Sequence, residues 1–134
     1  MTTNELYALA ATMGVETHSV KCPTSQAISL ELNGSKFIGI DPSVLKSDYR
    51  ERLVLAHELG HAATDAYYSA IDNPVNVKRM EYRATKWMIE RLIPKSTLSS
   101  LLHPEVTLFE LAEELQVPEE LIKKALFIYF RMEI

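Results

Sequence analysis

Residues 57–61 read HELGH and lie in an apolar run, with LVLA before them and AA after them. In an α-helix of 3.6 residues per turn, positions four apart lie on one face, so the imidazoles of His57 and His61 can reach a single metal ion. Glu58 lies beside them, where its carboxylate can take a proton from a water at that metal. The spacing therefore predicts a helix that carries two metal ligands and a general base.

The sequence around this motif, Leu53 to Ala66, is apolar nearly all round, which indicates a buried helix. A carboxylate in such a helix is costly unless it is paired or serves a metal. A glycine in a helix interior costs about 1 kcal/mol relative to alanine, so Gly60 predicts the close approach of a strand or a ligand. The competing interpretation is a core helix with two satisfied histidines and a salt-bridged glutamate.

Length and composition predict one globular domain. The chain contains 134 residues, of which 47% are hydrophobic, and its formal net charge is −4. This size is sufficient for a single hydrophobic core. We expect residues 1–46 to form a helix and a small sheet, residues 47–94 the metal-binding helices, and residues 95–134 a C-terminal helical subregion. The acidic balance argues against nucleic acid or an anionic membrane as the main partner.

The sequence also favours the cytoplasm as the compartment. The single cysteine, Cys22, cannot form an internal disulfide, which fits a reducing environment, and we interpret it as a half-buried strand residue. The first 15 residues lack the basic region of a signal peptide. No stretch approaches the roughly 20 apolar residues of a membrane span.

Short elements precede the HELGH helix. An apolar stripe at helical spacing predicts a first helix over Thr3–Met13, and Val15–Lys21 is a candidate strand. Ala27–Leu32 alternates apolar and polar residues, and Asn33-Gly34 supplies the residues that a tight hairpin turn prefers before Lys36–Ile40 returns. We therefore expect a small antiparallel sheet packed on the metal-binding helix. An edge strand of that sheet could hold an extended peptide by main-chain hydrogen bonds.

A third ligand is expected on a second long helix. Ser47-Asp48 caps the HELGH helix, which we expect to run to about Tyr68, and Asn73-Pro74 begins the next helix, which extends to Leu92. Glu81 falls in the apolar stripe of this second helix, and a buried carboxylate needs a partner. The two histidines, this glutamate and a water would make a tetrahedral zinc site with one open position.

Other roles for these carboxylates stay open. Asp65, one turn beyond His61, is the rival third ligand. Three side chains from one straight helix, however, would diverge too far to reach one metal ion. We therefore expect Asp65 to orient a histidine ring, and Thr85 could orient Glu81 in the same way. Glu81 could instead pair at the surface with a neighbouring cation: Arg79, Arg83 or Lys86.

The C-terminal residues have the residue spacing of a helix-turn-helix, with a predicted capping box at Thr107 and Glu110. The second helix of that unit opens with Glu119-Glu120, whose charge would repel phosphates. We therefore expect packing or substrate docking, and no direct nucleic-acid binding. Five apolar residues of this region are expected in the core: Phe109, Leu126, Phe127, Tyr129 and Phe130.

Three segments resemble a known family in order and spacing. HELGH at 57–61, EYRA at 81–84 and WMIERLIP at 87–94 resemble the ImmA/IrrE family of metallopeptidase-like proteins. The resemblance spans most of the chain and implies an α+β, zincin-like minimal metallopeptidase. It implies that His57, His61 and Glu81 are the ligands of one zinc ion, with manganese as the alternative metal, and that Glu58 is the general base.

The resemblance also implies a kind of substrate. Members of the family are common in prophages and other mobile elements, and several act on helix-turn-helix repressors encoded beside them. We therefore expect a cytoplasmic zinc endopeptidase that cleaves such a repressor, and the sequence leaves its oligomeric state open. The alternative is a non-catalytic, metal-bearing anti-repressor that binds through the acidic face from Glu110 to Glu120.

Peptide hydrolysis would also need a donor to the oxyanion. The candidate donors are Tyr67, Tyr68, Tyr82, Arg83 and His103.

Overall fold

The chain has an α+β fold, as the sequence predicts. A computed structural model describes residues 1–69 and 71–134. The elements of these residues follow in the order α1 (Thr3–Thr12), β1 (Val15–Ser19), β2 (Ala27–Leu32), β3 (Ser35–Ile40), α2 (Asp48–Thr64), α3 (Pro74–Leu92), α4 (Lys95–Leu101), α5 (Leu108–Leu115) and α6 (Glu119–Phe130). A 3-10 turn, Val44–Lys46, leads into α2.

The sheet has β3 at its centre, between β1 and β2. β2 and β3 form the expected antiparallel hairpin, in which Asn33 and Gly34 have φ angles of 52° and 83°. β1 pairs with β3 in parallel, so the sheet is mixed and the prediction of a wholly antiparallel sheet is wrong. Because β3 carries the buried residues Ile38 and Ile40, it takes the central position, and β1 and β2 become edge strands.

The apolar residues of β2 lie on the outer face of the sheet. Ile28 and Leu32 are 42% and 61% exposed, whereas Ala27 packs against the core on the face that α2 covers. Hydrophobic alternation therefore identifies the strand correctly but not the side that is buried. Cys22 is half-buried, as expected, but it lies after the end of β1 and not within a strand.

α1 begins at the predicted capping box and ends at Thr12. The Thr2 hydroxyl accepts a hydrogen bond from the backbone N–H of Glu5, and the Glu5 carboxylate accepts one from the N–H of Thr2. Two further bonds join α1 to the first turn of α2: the Thr3 hydroxyl donates to Asp48 at 2.8 Å, and the Tyr7 hydroxyl donates to Glu51 at 2.5 Å.

α2 ends at Thr64, four residues before the predicted boundary. Asp65 adopts a left-handed conformation with φ 52° and ψ 37°, which closes the helix. The ammonium of Lys36, on β3, donates to the carbonyl of Ala62 at 2.7 Å and lies 2.9 Å from the Asp65 carboxylate. A cation at the carbonyl end of a helix is favourable. Because Lys36 belongs to β3, the sequence of α2 alone does not predict this contact.

α2 and α3 cross in direct backbone contact at Gly60. A Cβ atom added at this residue would overlap the carbonyl oxygen of Ala84 on α3 and lie 3.0 Å from its Cα. The expected close approach at Gly60 is present, but the approaching element is a helix and not a strand or a ligand. Ala84 is itself fully buried, so both helices present their smallest side chains at the crossing.

α6 packs on α3, and α5 packs on α6. Thr107 caps α5 by accepting from the N–H of Glu110, but the Glu110 side chain does not return the second bond of the predicted capping box. Of the five residues expected in this part of the core, Leu126 is 1% exposed, and Tyr129 and Phe130 are half-buried against the core. Phe109 and Phe127 are 63% and 41% exposed, so their assignment to the core is wrong.

One continuous core lies between the sheet, α1, α2, α3 and α6. Its fully buried large side chains come from every one of these elements, as in Leu6, Ile38, Leu55, Ile89 and Ile122. Among the described residues, none of the helices combines the length and apolarity needed to cross a bilayer.

We predict that Gly60→Ala lowers the free energy of unfolding by about 1–3 kcal/mol, because the added methyl group forces the α2 and α3 backbones apart. Alanine would otherwise favour the helix by about 1 kcal/mol. Urea unfolding followed by circular dichroism measures the change. Lys86→Ala, at an exposed position of α3, is the control and should change stability by less than about 0.5 kcal/mol. A Gly60→Ala variant as stable as the wild type would contradict the crossing.

Candidate metal centre

Three side chains from two helices converge on one point. His57 and His61, on α2, have their ring centroids 4.8 Å apart, and Glu81 reaches them from α3. The Nε2 atom of His57 lies 2.8 Å from one carboxylate oxygen of Glu81, and the Nε2 atom of His61 lies 3.2 Å from the other. One ligand atom from each residue can be chosen so that all lie within 4.8 Å of one another. The structure thus brings together the two predicted histidines and the predicted glutamate.

The ring of His61 is fixed by its second nitrogen. Its Nδ1 atom lies 2.6 Å from the carbonyl oxygen of Ala66. Because a carbonyl oxygen can only accept, Nδ1 carries the hydrogen, and the Nε2 lone pair of the neutral ring points toward Glu81. Metal-binding histidines use this arrangement, in which a second partner fixes the tautomer of the ring. The early end of α2 supplies it, because Ala66 lies just beyond the left-handed residue Asp65.

Glu81 is held by a tyrosine as well as by the histidines. The Tyr68 hydroxyl donates to a carboxylate oxygen of Glu81 at 2.6 Å. Partial burial acts to raise the pKa of Glu81, but the hydrogen bond from Tyr68 and the two imidazoles together lower it below its usual value. The same hydrogen bond raises the pKa of Tyr68 to about 12. Glu81 is therefore a carboxylate at neutral pH, which is the form that binds a metal.

Glu58 lies beside the three converging residues but is not one of them. One of its carboxylate oxygens is 3.8 Å from Nδ1 of His57. Its side chain is only 13% exposed. Burial raises the pKa of Glu58 above its usual value, and the imidazoles of His57 and His61 act against that rise. A carboxylate of raised basicity next to a metal site is suited to accept a proton.

A cleft of about 790 Å³ exposes this group of residues to solvent. One wall is β2 and the segment before it, Ser25–Ser29, and the opposite side includes Pro118 and Glu120 at the start of α6. The floor contains the two histidines, Glu58 and Glu81. The volume falls within the usual range of binding clefts.

Several residues considered from the sequence lie elsewhere or have other partners. Asp65 does not orient a histidine ring, because it pairs with Lys36, and the Ala66 carbonyl fixes His61. Tyr68, not Thr85, reaches the Glu81 carboxylate. The guanidinium of Arg83 donates to the carbonyl of Thr64 and does not pair with Glu81. Each of these contacts depends on how the chain turns after α2.

Of the five candidate oxyanion donors, two line the cleft. Tyr67 and Tyr68 both do so. The Tyr82 side chain lines a neighbouring groove. The Arg83 guanidinium donates a hydrogen bond to the backbone carbonyl of Thr64. His103 lies in the loop before α5, where its Nδ1 accepts from the N–H of Glu105. Proximity in sequence to the HELGH motif did not distinguish the donors that line the cleft from those that do not, because their positions depend on tertiary packing.

The donor set fits a divalent transition metal such as zinc. Two imidazole nitrogens and one carboxylate oxygen are a common catalytic zinc set, with bonds of about 2.0–2.2 Å. Such bonds at tetrahedral angles place neighbouring ligand atoms about 3.3 Å apart, and the histidine-to-Glu81 separations are 2.8 and 3.2 Å. The two separations that involve Glu81 are close to this value, and all three ligand atoms lie within 4.8 Å of one another.

A comparison with protein families agrees with this geometry. The family model described as Peptidase M78, IrrE N-terminal-like domain, matches residues 8–127. The chain belongs to this family. The match runs from α1 into α6 and includes the three converging residues and Glu58, so the resemblance to ImmA/IrrE proteins is confirmed and the M78 assignment indicates a metallopeptidase. No curated protein and no solved structure matches the chain significantly.

We predict that Glu81→Ala weakens zinc binding by at least about 100-fold, because it removes one of three protein ligands, a loss larger than that of an outer-shell partner. Competition against a chromophoric chelator measures the affinity. Asp65→Asn is the matched control, since it removes the rival carboxylate, keeps a side chain that tolerates the left-handed conformation, and should leave the affinity unchanged. Equal losses in the two variants would contradict the assignment of Glu81.

Tyr68→Phe should weaken zinc binding by about tenfold, because it removes the hydroxyl that orients Glu81. Tyr67→Phe is the control. Tyr67 is the preceding residue and lines the same cleft, but the hydroxyl that donates a hydrogen bond to Glu81 is that of Tyr68. The same chelator competition reports both affinities, and an equal effect of the two substitutions would show that the Tyr68 hydroxyl does not position Glu81.

Proposed function

We propose that this chain is a zinc-dependent endopeptidase in which Glu58 is the general base. One observation carries the proposal: Glu58, a largely enclosed glutamate with a raised pKa, lies beside a convergent His57–His61–Glu81 group in the lining of an open cleft. The family assignment supports the same reaction class. Zinc, with manganese as the alternative, is the metal that this donor set favours.

Each residue has a defined part in peptide hydrolysis. His57, His61 and Glu81 would hold the ion, which when bound supplies Lewis acidity and lowers the pKa of a water toward about 7. Glu58 takes a proton from the attacking water and later passes it to the leaving amine nitrogen. The Ala66 carbonyl keeps His61 in its ligating tautomer, and Tyr68 keeps Glu81 in place.

β2 would hold the substrate in an extended conformation. It is an edge strand, which in the described part of the chain pairs only with β3, and residues 25–29 at its start line the cleft beside the histidines. The free edge of a strand offers backbone N–H and C=O groups to a peptide, and alternate side chains then fall into pockets. This mode of binding presents a backbone carbonyl to the centre with little dependence on sequence.

We further propose that the substrate is a helix-turn-helix repressor of a prophage or mobile element, cleaved in the cytoplasm. The support is the resemblance of HELGH, EYRA and WMIERLIP to the ImmA/IrrE family, whose members include proteins that act on such repressors. A repressor encoded beside the gene for this chain is the substrate to test first.

Glu58→Gln should retain zinc and lose cleavage, by a factor of at least about 100 in kcat, because the amide cannot accept the proton. Zinc content is measured by elemental analysis, and cleavage of the neighbouring repressor by mass spectrometry. Glu51→Gln, a glutamate of α2 outside the cleft, is the control and should cleave like the wild type. Retained cleavage by the zinc-loaded Glu58→Gln protein would remove Glu58 from the mechanism.

A second candidate is a metal-bearing anti-repressor that acts by binding alone. The observation in its favour is the surface of α5 and the start of α6, where Glu110, Glu113, Glu119 and Glu120 are exposed together with Phe109. Such a surface is complementary to a basic DNA-binding face. If stoichiometric Glu58→Gln protein relieves repression as well as the wild type does, this candidate replaces the peptidase.

A further inference from the structure

A second groove continues from the metal cleft. It has a volume of about 740 Å³ and lies between α3, α6 and the last residues of the chain, Met132–Ile134. Glu81, Glu120 and Lys124 line both this groove and the metal cleft. A polypeptide that crosses the centre beside β2 and passes over Glu81 therefore enters the second groove, which we call the α3–α6 groove.

The α3–α6 groove presents apolar side chains to solvent. Tyr82 is 51% exposed, Phe127 41% and Met132 43%, and Ile128 is half-buried beside them. Tyr82 and Phe127 come from different helices, so their proximity is produced by the fold and not by a local apolar run. Adjacent exposed apolar side chains with a polar rim are typical of a binding surface.

Lysines with no acidic partner lie on the rim of the groove. Lys78 belongs to α3 and Lys124 to α6, and neither forms a salt bridge within residues 1–69 and 71–134. Lys123 is paired with Glu120 at 3.2 Å, and Glu81 is engaged by the histidines and Tyr68. Glu133 is the remaining carboxylate of the lining. The two uncommitted cations favour an acidic group in the occupant.

We propose that the α3–α6 groove binds the segment of the protein substrate that flanks the scissile bond, and that it selects a large apolar side chain close to an aspartate or glutamate. The inference rests on the proposed peptidase function, because the substrate is the occupant. The apolar side chain lies against Tyr82 and Phe127, and the acidic one faces Lys78 and Lys124. The groove thus adds sequence selectivity to a strand edge that binds backbone.

The test is a peptide selection that does not depend on turnover. Zinc-loaded Glu58→Gln protein is used to select binders from a displayed library of random 12-residue peptides. The selection is repeated with Lys78→Gln/Lys124→Gln and with Phe127→Ala, each in the Glu58→Gln background. Lys46→Gln, an exposed lysine outside both cavities, is the matched control.

We expect selected peptides to be enriched in an apolar residue near an acidic one. Removing both lysines should abolish the acidic preference and weaken binding of the selected peptides by about fivefold at low salt, and Phe127→Ala should abolish the apolar preference. Lys46→Gln should change neither. Added salt should weaken binding to the protein that keeps both lysines more than binding to the one that lacks them.

Three results would overturn the inference: no selected peptides, peptides without these preferences, or preferences that persist in the lysine and Phe127 variants. Failure of the peptidase proposal is seen separately. If the selected peptides bind through the groove but zinc-loaded wild-type protein does not cut them or the neighbouring repressor, the groove is a docking surface of a non-catalytic protein.

Discussion

The contact between the backbones of α2 and α3 at Gly60 and Ala84 is the constraint on which the site depends. His57 lies one turn before Gly60, and Glu81 lies one turn before Ala84, so both candidate ligands lie within one turn of the crossing. A larger residue at Gly60 would separate the helices, and the separation would increase the distance between the carboxylate and the imidazoles. The small residues in HELGH and EYRA therefore support the candidate metal centre, although they have no ligand atoms.

The two glutamates of the centre differ because their surroundings differ. Glu58 is mostly enclosed, and burial raises its pKa. Glu81 is more exposed, and the hydrogen bond from Tyr68 and the two imidazoles lower its pKa despite partial burial. One carboxylate is thus suited to accept a proton and the other to remain ionised as a ligand. The division of roles follows from which helix each residue is on and which partners that helix meets.

The sequence was sufficient for the features that depend on local spacing. The HELGH helix, the long helix with Glu81, the capping box of α1 and the hairpin all follow patterns within a few residues. The sequence was not sufficient for features that depend on contacts between elements distant along the chain. Lys36, on β3, contacts the C-terminal end of α2, the Ala66 carbonyl replaces Asp65 as the partner of His61, and β1 pairs with β3 in parallel. Phe127 is apolar and at helical spacing, yet it faces the α3–α6 groove.

The measurement that tests the metal centre most directly is anomalous X-ray scattering at the zinc absorption edge from crystals of the zinc-loaded protein. We predict one peak per chain, at about 2.0–2.2 Å from Nε2 of His57, Nε2 of His61 and a carboxylate oxygen of Glu81. The Glu58 carboxylate should lie outside this coordination sphere. A peak at other residues, or crystals in which His57 and Glu81 remain directly hydrogen-bonded with no ion between them at saturating zinc, would contradict the account.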